Sequence, residues 1–254
     1  MKLPGGNDMR TSSKTIPVLV AVFLLLSIPL ALPHADEKES PPATYGMVYD
    51  YDNRPVADVA IYIDNTIATK TDINGRCVIS GIKDGEHYVL GKKNGYEDVR
   101  MVFTFGDAGR ILYIKMISCN QLLEQAQGEM EQRHWGEANA LLARIMALQP
   151  QNPSGRYLEA VLKFRTGDPH GAQTILLSLL QDMYRDPYVF LFLADLEQYK
   201  LGELGNAKIH LSEYLRLRYD PDIELRLQNL CQKIEANMSD QQKNLVPFFS
   251  GETN

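Results

Sequence analysis

The stretch EANALLARIMALQP, residues 137–150, decides how the back half of this chain folds. It returns as GAQTILLSLLQDMY at 171–184 and again as LGNAKIHLSEYLRL at 204–217. Ala138 precedes Ala172 by 34 residues, and Ala207 follows after 35. A second series runs Ala126, Ala160, Ala194, with a step of 34 each time. The apolar residues between these alanines recur with helical spacing. Two fixed small residues per 34-residue period predict stacked helix hairpins, since two helices of one hairpin cross where a larger side chain would push them apart. Gly167-Asp168 and Gly202-Glu203 mark the turns inside units two and three, and the one-residue slip is placed in such a turn. The stretch from Pro221, residues 221–238, reads as one further helix that covers the open end of the stack. Residues 239–254 read as a disordered tail.

Upstream of Ser118 the period changes from 3.6 to 2. Val59, Ile61 and Ile63 alternate with Asp58, Ala60 and Tyr62, and Cys77 and Ile79 alternate with Arg76, Val78 and Ser80. Met101 and Phe103 follow the same period, as do Ile111 and Tyr113. Turn signals separate these runs: DNRP, DN at 64–65, DING, KDGE, KNGY and GDAG. About seven short strands at close spacing predict an antiparallel sandwich or barrel. Gly75, Gly85 and Gly95 close the turns, where a positive φ costs another residue of order 1 kcal/mol. No helix start follows any of these glycines, so they are not phosphate loops.

Residues 44–117 resemble the carboxypeptidase regulatory-like domain, a transthyretin-type β-sandwich. The features that carry this are YGMVYD, NRPVADVAIYID, TDINGRCVISGI, GEHYVLGKKNGY and ILYIKM. Cys77 departs from the family, which usually has an aromatic residue there. Residues 118–220 resemble three tetratricopeptide repeats. Arg156, Glu159 and Lys163 stand where the first helix of unit two is normally apolar. Its apolar stripe is Tyr157, Ala160, Val161 and Phe164, which implies a helix rotated or shifted by one residue. Together the resemblances imply an α+β multidomain chain: a seven-stranded antiparallel β-sandwich, then an α-solenoid of three tetratricopeptide-like helix pairs and a capping helix.

Composition sets the outer bounds. The chain has 254 residues, 44% apolar and 23% charged, which suits about two globular domains of ordinary size. A net charge of −6 without a basic stripe argues against nucleic acid as a partner. Residues 1–35 read as a signal peptide or a signal anchor. Lys2, Arg10 and Lys14 precede the apolar run Val18–Leu26, and Ala31 or Ala35 stands before a cleavage point. Met9 is an alternative start. Residues 36–43, DEKESPPA, form a linker. The expected location is therefore the periplasm or cell envelope. Membrane contact is confined to the N-terminal segment, through residues 16–32, if it stays uncleaved. Cys77, Cys119 and Cys231 are odd in number and far apart, so they do not make a disulfide framework; three small buried residues are expected.

Candidate chemistry is sparse. His134 and Glu137 in HWGE have the spacing of a zinc pair, but about three converging ligands are needed, and His170 and His210 fall in other units. Asp72 and Asn74 of DING do not supply a calcium loop and read as turn residues. His87 lies on a strand with no acidic partner that the sequence places near it. The cysteines have no C-x-x-C spacing, and no P-loop or G-x-S-x-G is present. No catalytic residue, cofactor or metal is expected. Binding remains. The first helices of a stack line its concave face. That face draws on Gln127, Met130 and Glu131 in unit one, Tyr157, Val161 and Arg165 in unit two, and Tyr188, Asp195, Gln198 and Tyr199 in unit three. The expected partner is a protein or peptide of the cell envelope, and the expected role is a non-enzymatic adaptor. Two rivals stay open: a carbohydrate or peptidoglycan binder using Tyr45, Tyr49, Tyr62 and Tyr88, and an accessory subunit of a separate envelope peptidase. The segment KMISCN at 115–120 joins the halves with almost no linker.

Overall fold

The computed structural model describes residues 43–106 and 109–245. The expected signal segment 1–35, nearly all of the linker 36–43 and residues 246–254 lie outside the described residues. Among the described residues no helix is long and apolar enough to cross a membrane.

Among the described residues seven strands come first: β1 Thr44–Asp50, β2 Ala60–Ile63, β3 Thr66–Lys70, β4 Arg76–Ile79, β5 Gly85–Lys92, β6 Val99–Phe105 and β7 Ile111–Met116. They form two sheets, ordered β4-β1-β7 and β3-β2-β5-β6. Their inward residues, such as Val48, Ile79 and Ile114 against Ile61, Val89 and Phe103, share one buried core. The pairing is not wholly antiparallel, because β1 and β7 run parallel over six partners. A parallel pair needs a long crossover, and here the entire second sheet lies between the two strands in sequence.

Turn chemistry sets the strand ends. Asp64 and Asn65 take φ of +49° and +68°, the doubly left-handed turn that matches hairpin twist. Asp72 accepts the N–H groups of Asn74 and Arg76 through one oxygen, at 2.9 and 2.8 Å, so DING is a side-chain-closed turn. Gly75 completes it with φ +71°. Gly91 plays a different part. It sits inside β5, where an added Cβ would lie 3.4 Å from Ile114. Its role is close packing between the sheets.

In β7 the sequence-based parity is reversed. Leu112, Ile114 and Met116 are buried, while Ile111 and Tyr113 face outward. ILYI is apolar on both faces, so alternation alone does not choose between them. The register with β1, Gly46 beside Leu112 and Val48 beside Ile114, makes the choice.

Three helix pairs follow: α1 Cys119–Glu131 with α2 Trp135–Leu148, α3 Pro153–Arg165 with α4 Pro169–Gln181, and α5 Pro187–Leu196 with α6 Leu204–Leu217. Four helices start with the same chemistry, an Asn or Asp followed by Pro. Asn152, Asp168 and Asp186 cap the first turns of α3, α4 and α5, and Asp220 accepts the N–H of Asp222 at the start of the last helix. The side-chain oxygen satisfies a free N–H, and proline fits the first helical position, where no N–H is needed. The six alanines of the two series, Ala126, Ala138, Ala160, Ala172, Ala194 and Ala207, are all fully buried.

The slipped residue is not in a turn. Residues Glu197–Leu201 form a π-turn at the end of α5, which absorbs one extra residue before Gly202. Glu197 is 1% exposed there, and its carboxylate pairs with His210 at 2.7 Å and accepts from Gln173 at 3.2 Å. The last helix, α7, runs Pro221–Leu245, seven residues past the expected end at 238. Ile223, Leu227, Leu230 and Ile234 seat it on the third pair. Beyond Ile234 the backbone stays helical although residues 235–240 are exposed, since Glu, Ala, Met and Gln favour helix without packing.

The joint between the halves is short and bonded. Ser118 and Gln121 form a reciprocal cap at the start of α1. The Cys119 N–H donates to Gly95 O at 2.8 Å, and the Glu97 N–H donates to Ile117 O at 3.0 Å. The Gln121 amide reaches Asp52 at 2.7 Å. Arg144 of α2 grips the Glu97 carboxylate with two bonds of 2.7 Å, and that guanidinium, outweighing partial burial, holds the Glu97 carboxyl below its usual range.

Candidate functional site

The first helices of the pairs carry the candidate residues. Between α1 and α3 lies an open groove of about 620 Å³. Six of the ten candidates line it: Gln127, Met130 and Glu131 from α1, and Tyr157, Val161 and Arg165 from α3. Periodicity explains this, because 127 and 131, and likewise 157, 161 and 165, share one helix face at steps of four. Met130 is almost fully buried at the base, and Gln127 donates to Glu131 at 3.2 Å along the rim.

Arg156, Glu159 and Lys163 stay out of that groove. Arg156 turns toward α4, pairing with Asp182 and donating to Ser178 at 2.6 Å. It ties down the C-terminal end of α4 by charge, which accounts for a cation at a position the repeat pattern expects to be apolar. Lys163 pairs with Asp168 at 3.4 Å.

The four candidates of unit three are placed apart from this groove. The last helix reaches three of them with one side chain. Arg226 pairs with Asp195 at 2.7 Å, donates to Gln198 at 2.8 Å, and lies 4.9 Å from the Tyr199 ring centroid. Tyr188 lines a smaller cavity, and its hydroxyl accepts from Arg218 at 3.0 Å. The candidate face is thus open at units one and two and crossed by Arg226 at unit three.

Several lining residues were not anticipated: Leu123, Glu124, Arg133, Trp135 and Leu158. Leu123 falls four residues before Gln127 and was accessible to the same periodic argument. Arg133 was not. It sits in the turn of unit one with φ +64°, at the position where units two and three have Gly167 and Gly202. A left-handed arginine where the repeat places glycine is a strained residue that lines the groove. Arg226 had no signal either, since it flanks the apolar stripe of α7 and its reach is a matter of helix placement.

The residues weighed for chemistry do not assemble. His134 pairs with Glu129 at 2.8 Å. Among the described residues no three of His, Cys, Asp and Glu gather in a way that would hold a metal ion. His87 does have an acidic partner: its Nδ1 is 2.5 Å from Asp64, brought there by the β2–β3 hairpin, and its Nε2 is 3.0 Å from Lys83 O. With both ring nitrogens engaged, the imidazole braces a hairpin. The four tyrosines of the carbohydrate reading do not form one patch. Tyr45 and Tyr49 lie on the outer face of the three-stranded sheet, Tyr62 and Tyr88 on that of the four-stranded sheet. All three cysteines are free, Cys77 and Cys119 buried and Cys231 partly exposed.

Residues 129–196 match the tetratricopeptide repeat family. Among solved structures the chain is similar to the first TPR of Spaghetti (RPAP3) bound to the HSP90 peptide SRMEEVD, with 18% identity over 46% of this chain and 93% of that one, at a TM-score of 0.42. It is similar to the first TPR domain of human RPAP3, with 17% identity, coverage of 48% and 95%, and a TM-score of 0.42. The Yersinia enterocolitica type III secretion chaperone SycD in complex with a peptide of the translocator YopD follows at 15% identity, coverage of 47% and 93%, and a TM-score of 0.40. No curated protein matches the chain. The segment 129–196 is therefore tetratricopeptide-repeat sequence, set within the helix series that follows the β-rich region.

Proposed function

We propose that this protein is a non-enzymatic adaptor, exported to the bacterial cell envelope, that binds a protein or peptide partner in the groove between α1 and α3. The observation that carries the reading is the groove itself. Six residues chosen for their positions in the repeat converge on one open cleft that mixes apolar floor, aromatic side chains and arginine, the composition of an interface centre. The two-sheet unit, read as a regulatory-like β-sandwich, acts as a rigid mount, and its bonds to α1 and α2 support that role. Export rests on the basic and apolar pattern of residues 1–35.

A photo-crosslinking side chain placed singly at Gln127, Arg165, Tyr88 and Tyr113 of the full chain tests this in cells. The reading expects a discrete crosslinked partner from Gln127 and Arg165 and none from the two sheet faces. Crosslinks from Tyr88 or Tyr113 alone would move the binding site to the β unit. Fractionation of the same cells checks the envelope location.

A further inference from the structure

A second cavity, of about 250 Å³, lies where α3 and α5 begin. Ser154, Tyr157, Tyr184, Asp186, Tyr188 and Val189 line it. Three tyrosines and one carboxylate around one opening are an unusual set. Asp186 spends one oxygen on the cap of α5, accepting the Tyr188 N–H at 2.8 Å. It has no ion-pair partner among the described residues. Its charge reaches the rings: the Tyr157 and Tyr184 phenols are both pushed up, first by burial and then by Asp186. Neither hydroxyl has a hydrogen-bond partner among the described residues, so both oxygens are available to a donor.

Charge and size select the ligand. An uncompensated carboxylate beside electron-rich rings attracts cations and repels anions. Arg218 sits on Tyr188, donating to its hydroxyl at 3.0 Å with its guanidinium carbon 5.6 Å from the ring centroid, outside the cavity lining. Arg185, in the same loop, does not line the cavity either. The volume is below the roughly 300–1,000 Å³ of pockets that hold whole small molecules, and suits the end of one side chain.

We infer that this cavity takes a single cationic side chain, lysine or arginine, presented by the protein partner. This rests on the groove reading in one respect: Tyr157 lines both the groove and the cavity, so a chain lying in the groove passes the cavity mouth. The partner then carries a basic anchor beside a more apolar stretch.

The test uses small probes on the full chain. N-acetyl-lysine methylamide, N-acetyl-arginine methylamide and the neutral norleucine analogue are titrated while fluorotyrosine resonances at Tyr157, Tyr184 and Tyr188 are followed. The expected result is a saturating shift with one or both cations and none with norleucine, the two cationic arms deciding between ammonium and guanidinium. Asp186→Asn keeps a capping oxygen and is expected to weaken the cation about five- to tenfold, the scale of one partly desolvated charge contact. Tyr184→Leu is expected to do the same with the carboxylate intact. An equal response to norleucine, or unchanged cation affinity in both variants, overturns the inference. The titration needs no partner, so its failure leaves the groove standing. Loss of crosslinks at Gln127 and Arg165 with the titration intact leaves the cavity and removes the groove.

Discussion

The two halves of this molecule hold their shape by different means. In the β unit the chain reverses through residues forced left-handed, among them Asn53, Asp58, Asp64 and Asn65 as well as Gly75 and Gly95. In the helical stack only Arg133, Gly167, Met183 and Gly202 do so, and the shape comes from alanines at helix crossings. The β unit is specified at its corners, the stack at its contacts. The difference has a physical source. A strand finds its hydrogen-bond partners in other segments, so the turns decide which segments meet. A helix bonds to itself, so only the fit between helices remains to be decided.

That contrast is sharpened most by glycine substitutions. Gly75 and Gly202 share nearly the same φ, +71° and +73°. A Cβ on Gly75 would run into Val48 O and lie 3.1 Å from Val56 N, whereas Gly202 faces open space. Gly75→Ala is expected to cost about 3 kcal/mol or more, strain plus displaced backbone, and Gly202→Ala about 1 kcal/mol. Denaturant melts decide it, and equal losses would break the comparison. Next comes Ala160→Leu, at a fully buried crossing. Overpacking there is expected to cost about 1–3 kcal/mol. The same change at Ala60, on the outer side of β2, is expected to stay within about 0.5 kcal/mol.

Arg133→Gly runs in the opposite direction. Relieving the left-handed arginine is expected to raise stability by about 1 kcal/mol. It also removes a side chain from the groove, so partner crosslinking should weaken while the melting temperature rises. Smaller still is the bond between the halves. A double-mutant cycle on Glu97 and Arg144, both partly exposed, is expected to give a coupling of about 0.2–1 kcal/mol, reduced by salt.

The smallest effect is a pH dependence confined to the β unit. The Asp64 hydrogen bond holds the His87 imidazole above its ordinary value, and the same bond holds the Asp64 carboxyl below its own. The histidine contribution is present below about pH 6.5 and is lost as pH rises through the elevated value. The aspartate contribution is present above about pH 4 and is lost as pH falls through the depressed value. Between those limits His87→Asn should lower the melting temperature slightly, and the difference should shrink as pH rises through the elevated histidine value. A loss that is constant with pH would mean that His87 works by packing on Phe105.

Much of the stack was legible. The 34-residue alanine series located all six crossings, and the Asn-Pro and Asp-Pro steps at 152, 168, 186 and 220 mark four helix starts, a signal the periodic reading passed over. Five of the six groove residues follow from steps of four along α1 and α3, and Met130 from a step of three. What failed did so for identifiable reasons. The extra residue between Ala194 and Ala207 fits a turn as well as a π-turn until the buried Glu197–His210 pair selects the latter. Tyr45 and Tyr88 look alike in sequence but belong to strands of different sheets. Asp64 and His87 are 23 residues apart and meet because β2 and β5 are neighbours.

The amino-acid order alone determined the change of period at Ser118, the turns and the alanine contacts, because these depend on local conformation and on side-chain size at fixed spacing. Only the tertiary structure decided the inward face of β7, the parallel pairing of the first and last strands, the reach of Arg226 over unit three and the meeting of three tyrosines with Asp186. Each of those requires two segments distant in sequence to be adjacent, and adjacency is set by the packing of the whole core, which no short window of sequence contains.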